Sequence, residues 1–256
     1  MTYFGFLLRF LIIPILIIFI LTWRSTNKPL WIAILIHVFL AIVYTTPWDN
    51  YLVATRVWYY DPRLVSGIVF GYVPIEEYTF FFLQTLFVGL WWRVVAHRVI
   101  SIEDFKPSRR LRYMTSVIAA VIWLGVAFIF LSHWKTLTYL SIILFWAIPP
   151  MIPQLLFGAD ILWHHRKLLA WAILPLGLYL SFVDTLAIKS GTWTINPAQS
   201  TGIFIGNLPL EEAIFFFVTV TMVSFGITLL MEKESQSRWM KIKGYIKIRK
   251  RVMNQD

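Results

Sequence analysis

Residues 74–82 read Pro-Ile-Glu-Glu-Tyr-Thr-Phe-Phe-Phe, and residues 209–217 read Pro-Leu-Glu-Glu-Ala-Ile-Phe-Phe-Phe. A shift of 135 residues joins the two stretches, and it also aligns residues 49–82 with residues 184–217 without a gap. Within that window, 12 of the 34 positions are identical. A repeat at constant spacing indicates two copies of one structural unit.

The composition indicates the class of protein in which these units occur. Of the 256 residues, 59% are hydrophobic and 14% are charged, and the mean hydropathy is +0.70. A soluble domain has about 45–50% apolar and about 25% charged residues, so soluble enzymes, disordered chains and disulfide scaffolds are excluded. There is no cysteine, which excludes thiolate metal sites. Aromatic residues reach 18%, more than interfacial belts need, and this excess favours a lined cavity.

Seven segments are apolar and long enough to cross a membrane as helices, each of which needs about 20 residues. They are residues 4–22, 30–46, 74–95, 113–132, 136–157, 168–183 and 209–231. The period-two alternation that is typical of membrane strands is absent from these segments. The sequence therefore predicts an all-α integral membrane protein with seven transmembrane helices.

The repeat predicts how the helices are arranged. The shift carries the first three spans onto the last three, so each unit has three helices and a long connection between its second and third. The fourth span has no counterpart, and it would return the chain so that the two units lie parallel about a pseudo-twofold axis. The predicted divisions are a first unit at 1–95, a basic loop with a linking helix at 96–135, a second unit at 136–231 and a basic tail at 232–256.

The lysine and arginine residues predict the orientation. One side of the seven spans carries 18 of them and the other side carries 4. By the positive-inside rule, we expect a cell-membrane protein with its N-terminus outside and its C-terminus in the cytoplasm. Apolar residues such as Trp239, Tyr245 and Ile248 alternate with the basic ones in the tail, which either stops transfer as a charge cluster or lies on anionic lipid. No nucleic-acid partner is expected.

The paired glutamates of the two motifs are the leading candidate site residues. Glu76, Glu77, Glu211 and Glu212 open their spans directly after a proline, where carboxylates face the positive end of the helix dipole. They could be boundary residues and nothing more. Their recurrence, on a side with little other charge, favours a function in chemistry. A helix terminus favours the ionised form and burial favours the protonated form, so such pairs can combine an acid with a base.

Aspartate and tryptophan residues recur beside the glutamates. Asp49 and Asp184 follow the second span of each unit at its outer end. They could cap that end, orient a glutamate or join in proton transfer. Trp58 and Trp193 could anchor the chain at the membrane interface, or they could present ring faces that stabilise a cation.

Two further patterns give weaker expectations. Each unit has a Gly-x-x-x-Gly stretch, at 67–71 and 202–206, which favours either close packing or a re-entrant turn. We expect His37 to be a hydrogen-bonded core residue, because it has no neighbours at metal-ligand spacing. The histidine pair at 164–165 precedes basic residues and is expected to be solvated.

Together these residues resemble the lycopene cyclase domain, an integral-membrane type found in some bacteria, archaea and fungi. The resemblance rests on the Pro-x-Glu-Glu motifs at 74–77 and 209–212, the outer-end aspartates, the spaced glycines and the three-helix repeat. It covers about residues 1–231. The chain is similar to the fused, two-repeat form of the heterodimer-type lycopene β-cyclase, in which an extra helix joins the halves.

The resemblance implies an intramolecular lyase or isomerase of carotenoid biosynthesis, which closes the ψ ends of lycopene into β-ionone rings without a cofactor. Because an alkene is a very weak base, the acid must be neutral and dry, and the cation needs electron-rich walls. The catalytic residues implied are Glu76, Glu77, Glu211, Glu212, Asp49 and Asp184. The substrate-binding residues implied are Trp58, Trp193, Phe80, Phe81, Phe215, Phe216, Tyr44 and Tyr179.

The expected partners are lycopene and membrane lipids, and other enzymes of carotenoid biosynthesis could also bind. Because both motif loops should lie on one side, we expect one composite site and a carotene that turns around between ring closures. One centre per motif is the alternative. The nearest alternative function is a membrane hydratase that adds water to the same cation. A proton-coupled transporter fits less well, because its acids would be expected at the midplane.

Overall fold

The computed structural model describes residues 1–99 and 104–253, without the side chains of 245–253, so the predictions for Tyr245 and Ile248 fall outside it. Within the described residues, seven helices are long and apolar enough to cross a membrane. They are α1 (Tyr3–Thr22), α2 (Lys28–Ala54), α3 (Ile75–Arg98), α4 (Arg109–Leu131), α5 (Thr138–His164), α6 (Arg166–Lys189) and α7 (Leu210–Met231). A basic helix α8 (Lys233–Met253) follows. The prediction of an all-α, multi-pass membrane protein is confirmed.

The two units lie side by side, with α3 and α7 at the centre. Helix α2 packs on both α3 and α7, helix α6 packs on both α7 and α3, α1 packs on α3, and α5 packs on α7. Helix α4 packs along α5 at the periphery. Only 11% of its most apolar window is buried, against 61% for α3. Helix α4 is therefore the returning helix of the predicted arrangement.

Tyrosines of one unit stabilise proline-containing helices of the other. Proline has no N–H, so it leaves the carbonyl four residues earlier without its helical partner. In α1, which has a π-helical turn at Leu8–Ile12, Pro14 frees the Phe10 carbonyl, and the Tyr179 hydroxyl donates to it at 2.9 Å. In α5, Tyr44 donates in the same way to the Trp146 carbonyl at 2.9 Å. These two bonds fasten the units to each other.

Two helices run further than the hydropathy predicts. Helix α2 continues through Pro47 to Ala54, eight residues beyond the predicted end at residue 46. Helix α6 continues to Lys189, six residues beyond residue 183. Each extension contains an aspartate, Asp49 or Asp184, which lowers the hydropathy but is buried by tertiary packing. Asp49 and Asp184 therefore lie inside helices, and the interpretation of these residues as helix caps is wrong.

The connections that carry the motifs form short strands. Strand β1 (Trp58–Tyr60) pairs antiparallel with β4 (Trp193–Ile195), so the two connections meet at one end of the bundle, which we call the motif side. Two hairpins follow, β2 (Val69–Phe70) with β3 (Val73–Pro74), and β5 (Phe204–Ile205) with β6 (Leu208–Pro209).

The spaced glycines of the two connections serve these hairpins. Gly71 and Gly206 have φ of +68° and +65°, and each occupies the first turn position, where a two-residue type II′ turn needs glycine. Gly67 and Gly202 also have positive φ, of +82° and +72°. The four glycines therefore make turns, and close packing applies at Gly71 alone of the four, where an added Cβ would collide with the Asn50 side chain.

Candidate active site

The first glutamate of each motif holds the connection that precedes it. Glu76 accepts a hydrogen bond from the Ser66 backbone N–H at 2.6 Å, and Glu211 accepts one from the Thr201 N–H, also at 2.6 Å. Both side chains are fully buried. The two bonds are related by the repeat and fix each connection against the start of its helix. Glu76 and Glu211 therefore support the site by holding the backbone of these two connections in place.

The second glutamate of each motif accepts hydrogen bonds from tyrosines. Tyr3 and Tyr60 donate to the same oxygen, Oε2 of Glu77, at 2.5 and 2.9 Å. Tyr139 donates to Oε1 of Glu212 at 2.5 Å. Burial raises the pKa of the Tyr60 phenol well above its usual value, so this hydroxyl keeps its proton and acts as a donor.

Glu77 and Glu212 face one shared chamber on the motif side. This cavity has a volume of about 30 Å³. Asp184 is the third carboxyl on its wall. The remaining lining residues are aromatic, namely Tyr3, Trp58, Tyr60, Phe80, Trp193, Phe215 and Phe216. One residue of each motif pair and both repeated tryptophans therefore meet in one place.

The two repeated aspartates have different surroundings. Asp184 accepts a hydrogen bond from Nε1 of Trp193 at 3.1 Å, which fixes that indole at the chamber. Asp49 lies in an adjoining cavity of about 20 Å³ that Trp58 also lines. Among the described residues, neither oxygen of Asp49 has a hydrogen-bond partner, and nor does Nε1 of Trp58. The repeat therefore conserves the positions of these side chains and changes their bonding.

The chamber combines proton carriers with ring faces. The rings of Tyr3 and Trp193 are 4.9 Å apart, and those of Phe215 and Phe216 are 5.3 Å apart. Ring faces attract positive charge. Buried carboxyls that are shielded from water can donate and accept protons. The arrangement therefore suits acid catalysis on an apolar substrate that passes through a cation.

Three more of the predicted side chains lie away from this chamber. Phe81 lines the cavity of Asp49 and a larger cavity of about 230 Å³ deeper in the bundle, and Tyr44 lines the larger one. Tyr179 lines none of the three cavities. Its ring packs on Phe87, at 5.8 Å between centroids.

A family model described as lycopene cyclase matches residues 2–95 and 136–230. The chain belongs to the lycopene cyclase family. The two matched ranges are the two three-helix units, and the segment between them, which contains α4, is outside the match.

Curated relatives agree with this membership. A lycopene beta-cyclase of Halobacterium salinarum is 40% identical over 190 residues, which are 74% of this chain and 78% of that protein. Two bifunctional lycopene cyclase/phytoene synthases, of Phaeosphaeria nodorum and Aspergillus niger, are 31% and 34% identical over 75% and 80% of this chain. The matches cover 34% and 37% of those two proteins. No solved structure matches the chain.

Three tyrosines of the site, Tyr3, Tyr60 and Tyr139, were not predicted from the sequence. Tyr3 and Tyr139 are 136 residues apart, so a gapless shift of 135 does not superpose them. The same one-residue slip relates Phe10 to Trp146, the two carbonyls that receive tyrosines. A comparison that allowed one insertion in the first helix would have paired Tyr3 with Tyr139. Tyr60 has Ile195 at its repeat position, so the repeat gives no signal for it.

Polar clusters also occupy the opposite end of the bundle, which we call the basic side. Arg238 of α8 bonds both oxygens of Asp160, at 2.8 and 2.7 Å, and so docks the start of the tail on α5. His165 lies with Glu232 and Glu234 so that one ligand atom of each is within 4.8 Å of the others. The expectation that His165 is solvated is wrong, because only 11% of its side chain is exposed.

The remaining histidine prediction is confirmed. Nδ1 of His37 lies 2.7 Å from the Ala33 carbonyl oxygen, in a hydrogen bond within α2. The side chain is partly buried against Gly226 of α7, where an added Cβ would collide with the imidazole.

Proposed function

We propose that this chain is a lycopene β-cyclase that closes the ψ end groups of lycopene into β-ionone rings within the membrane. The observation that carries the proposal is the shared chamber, in which Glu77 and Glu212 face a wall of aromatic rings. Membership of the lycopene cyclase family, and the 40% identity to a lycopene beta-cyclase, support it. The reaction is an isomerisation, so the enzyme is an intramolecular lyase.

The chemistry needs one acid and one base for each ring. A carboxyl proton adds to the terminal trisubstituted double bond, whose electron pair forms the new C–H bond and leaves a tertiary cation. An internal double bond attacks the cation and forms the ring C–C bond. A ring proton then leaves to a carboxylate, and its bonding pair becomes the ring double bond. Water must be absent, because it would add to the cation.

The hydrogen bonds suggest which glutamate has which role. Each hydroxyl that donates to a carboxylate stabilises its ionised form. Glu77 accepts from two phenols and Glu212 from one. We therefore assign proton donation to Glu212 and proton acceptance, with stabilisation of the cation, to Glu77. Nothing in the bonding of the chamber requires a second active centre, so we retain one composite site.

The other acids of the sequence analysis receive supporting roles. Glu76 and Glu211 are positioning residues, because their bonds go to the backbone of the connections. Asp184 positions the indole of Trp193. Asp49 has no hydrogen-bond partner among the described residues, and we assign to it the return of the proton between turnovers.

The setting of the reaction follows from its chemistry and from the charges. No electrons are transferred, so we expect neither a cofactor nor a metal. The substrate comes from the bilayer, where lycopene dissolves. The distribution of lysine and arginine supports an extracytoplasmic motif side and a cytoplasmic basic side. Contacts with other enzymes of carotenoid biosynthesis remain a prediction.

Expression in bacteria that accumulate lycopene tests the function directly. We expect the pigments to shift from lycopene to monocyclic and dicyclic carotenes, identified by chromatography and absorption. The Glu212→Gln variant should retain lycopene, and the matched Glu232→Gln variant, changed on the basic side, should behave as the unmodified protein. Unchanged lycopene with well-expressed protein would overturn the proposal. Hydroxylated products would identify the hydratase instead.

A further inference from the structure

The cavity of about 230 Å³ lies between α2, α3, α5 and α7, deeper in the bundle than the acid chamber. It shares Phe81, Trp146 and Phe215 with the small cavity of Asp49, and Phe215 also lines the acid chamber. The three cavities therefore form one series that leads from the carboxyls towards the middle of the membrane. We call the largest of them the deep groove.

The deep groove has an apolar wall that reaches the outside of the bundle. Leu40 and Tyr44, both on α2, line the groove and are 52% and 37% exposed, so the groove borders the region that lipid occupies. The amide of Gln84 donates to the Thr219 hydroxyl at 2.7 Å, so these two polar side chains of the wall are bonded to each other. Gln154 also lines the groove; its amide donates to the Met222 carbonyl at 3.1 Å, and its Oε1 has no hydrogen-bond partner among the described residues. Because most of the remaining wall is apolar or aromatic, a long hydrocarbon suits it.

The pseudo-twofold axis predicts a second groove, but the equivalent position is packed. Ala41, Thr45 and Met222 line the deep groove, and the repeat replaces them with Leu176, Leu180 and Phe87. These three larger side chains are buried, with exposures of 3%, 0% and 4%. At these three positions the other half has larger, buried side chains where smaller ones line the deep groove, although Ala172 there replaces the larger His37.

From this asymmetry we infer that the deep groove holds the polyene of the carotene while one end group lies in the acid chamber, an inference that rests on the proposed function. Met222 follows Glu212 by ten residues, which is about 15 Å along a helix. Lycopene is about as long as the ~30 Å hydrocarbon core. Half of the molecule, about 15 Å, therefore matches the distance along α7 from the chamber to the groove, and the other half would extend past Leu40 and Tyr44 into lipid. Both ends must use this single groove in turn.

The first test transfers the residues of the packed half into the open half. The variants Ala41→Leu and Met222→Phe should each lower lycopene conversion at least tenfold in membranes. Conversion of a short acyclic terpene, with the same end group and no long polyene, should stay within threefold. Gly125→Leu is the matched control, because a side chain added there on α4 meets nothing within 4 Å, and it should leave both conversions within twofold. Unchanged lycopene conversion by both folded groove variants would overturn the inference.

The second test does not depend on large substitutions. The chain has no cysteine, so Ala41→Cys introduces a single thiol into the groove, and Gly125→Cys introduces one on the lipid-facing control helix. Lycopene in the membrane should slow N-ethylmaleimide labelling at position 41 at least fivefold and leave labelling at position 125 unchanged. If lycopene does not change the labelling at position 41 in protein that still cyclises lycopene, the inference about the groove is wrong and the proposed function stands. Protection at position 41 without any ring formation supports the groove and overturns the proposed function.

Discussion

The two units of the molecule have the same framework and different chemistry. Each has a loop-holding glutamate, a glutamate bonded to tyrosine and a tryptophan at the chamber. The first unit adds Tyr60, where the second unit has Ile195, while among the described residues the bond between aspartate and tryptophan occurs in the second unit alone. The features that the two units share are those that build one chamber from two halves. The features that differ lie beside the two glutamates, to which we assigned the different roles of acid and base.

Loss of either chamber glutamate should produce the largest effect. Glu77→Gln and Glu212→Gln should each reduce formation of both rings by about 10²–10⁴-fold, the usual range for a general acid or base. Pigment analysis in lycopene-accumulating cells measures this. If either variant makes one ring per lycopene at the normal rate, each motif has its own centre and the composite site is wrong.

The tyrosines should sharpen the difference between the two glutamates. Tyr139→Phe removes the hydroxyl that stabilises the carboxylate formed when Glu212 gives up its proton, and it should lower the rate at least tenfold, since a hydrogen bond to a charged group contributes about 1.5–3 kcal/mol. Tyr60→Phe leaves Tyr3 bonded to Glu77 and should cost less. Initial rates of carotene formation in membranes provide the comparison. Equal losses in the two variants would contradict the unequal roles.

The tryptophans test the difference between the aspartates. Trp193→Phe leaves buried Asp184 without its donor, which should cost about 1–3 kcal/mol of stability. Trp58→Phe breaks no hydrogen bond within the described residues and should cost less, so it is the matched control. Thermal unfolding in one detergent compares the two. If the melting temperature of Trp58→Phe falls as far as that of Trp193→Phe, the hydrogen bond between Asp184 and Trp193 makes no difference to stability.

The smallest effect is expected on the basic side, at the cluster that His165 of the second unit forms with Glu232 and Glu234 of the tail. Burial raises the pKa of Glu232 to about 7, and it lowers that of His165. A carboxyl whose pKa is raised on folding stabilises the folded state while it is protonated. This contribution is complete at pH values below the unfolded-state pKa of about 4.5, and it is lost as the pH rises through the folded-state pKa of about 7.

When the pH rises from 6 to 8, the free energy of unfolding of the unmodified protein should therefore fall by about 1 kcal/mol more than that of Glu232→Gln. Melting temperatures at the two pH values measure this, and the rate of ring closure at pH 7 should not change. If the unmodified protein loses no more than the variant, the burial of Glu232 has no energetic consequence.

The sequence predicted the framework because hydropathy and the repeat are properties of long stretches. Hydropathy averaged over a long apolar segment is little affected by single polar residues. Glu77 and Glu212 could be predicted because they belong to repeated motifs whose residue types are rare in membrane spans. The helix ends were less predictable, because Asp49 and Asp184 lower the local hydropathy even though packing keeps them inside α2 and α6.

The details of the site depended on contacts that no period reveals. Tyr3 and Tyr139 reach the glutamates across one unit, 74 and 73 residues along the chain, and the slip of one residue hides their equivalence. Tyr44 was predicted to bind substrate and lines the deep groove, and its hydroxyl also completes the bonding of a proline-containing helix in the other unit, which the sequence did not reveal. The different roles of the two glutamates in each pair could not be predicted, because they depend on the directions in which the two side chains point.

The two hairpins of the motif side bear on where the enclosure of the active site ends. Phe70 and Tyr72 of the first hairpin, and Phe204 and Ile205 of the second, are each more than half exposed. Apolar tips of this kind are stable against acyl chains and unfavourable in water. We therefore expect the two hairpin tips to lie against the bilayer, so that the lipid next to the motif side is part of the surroundings in which the acids work.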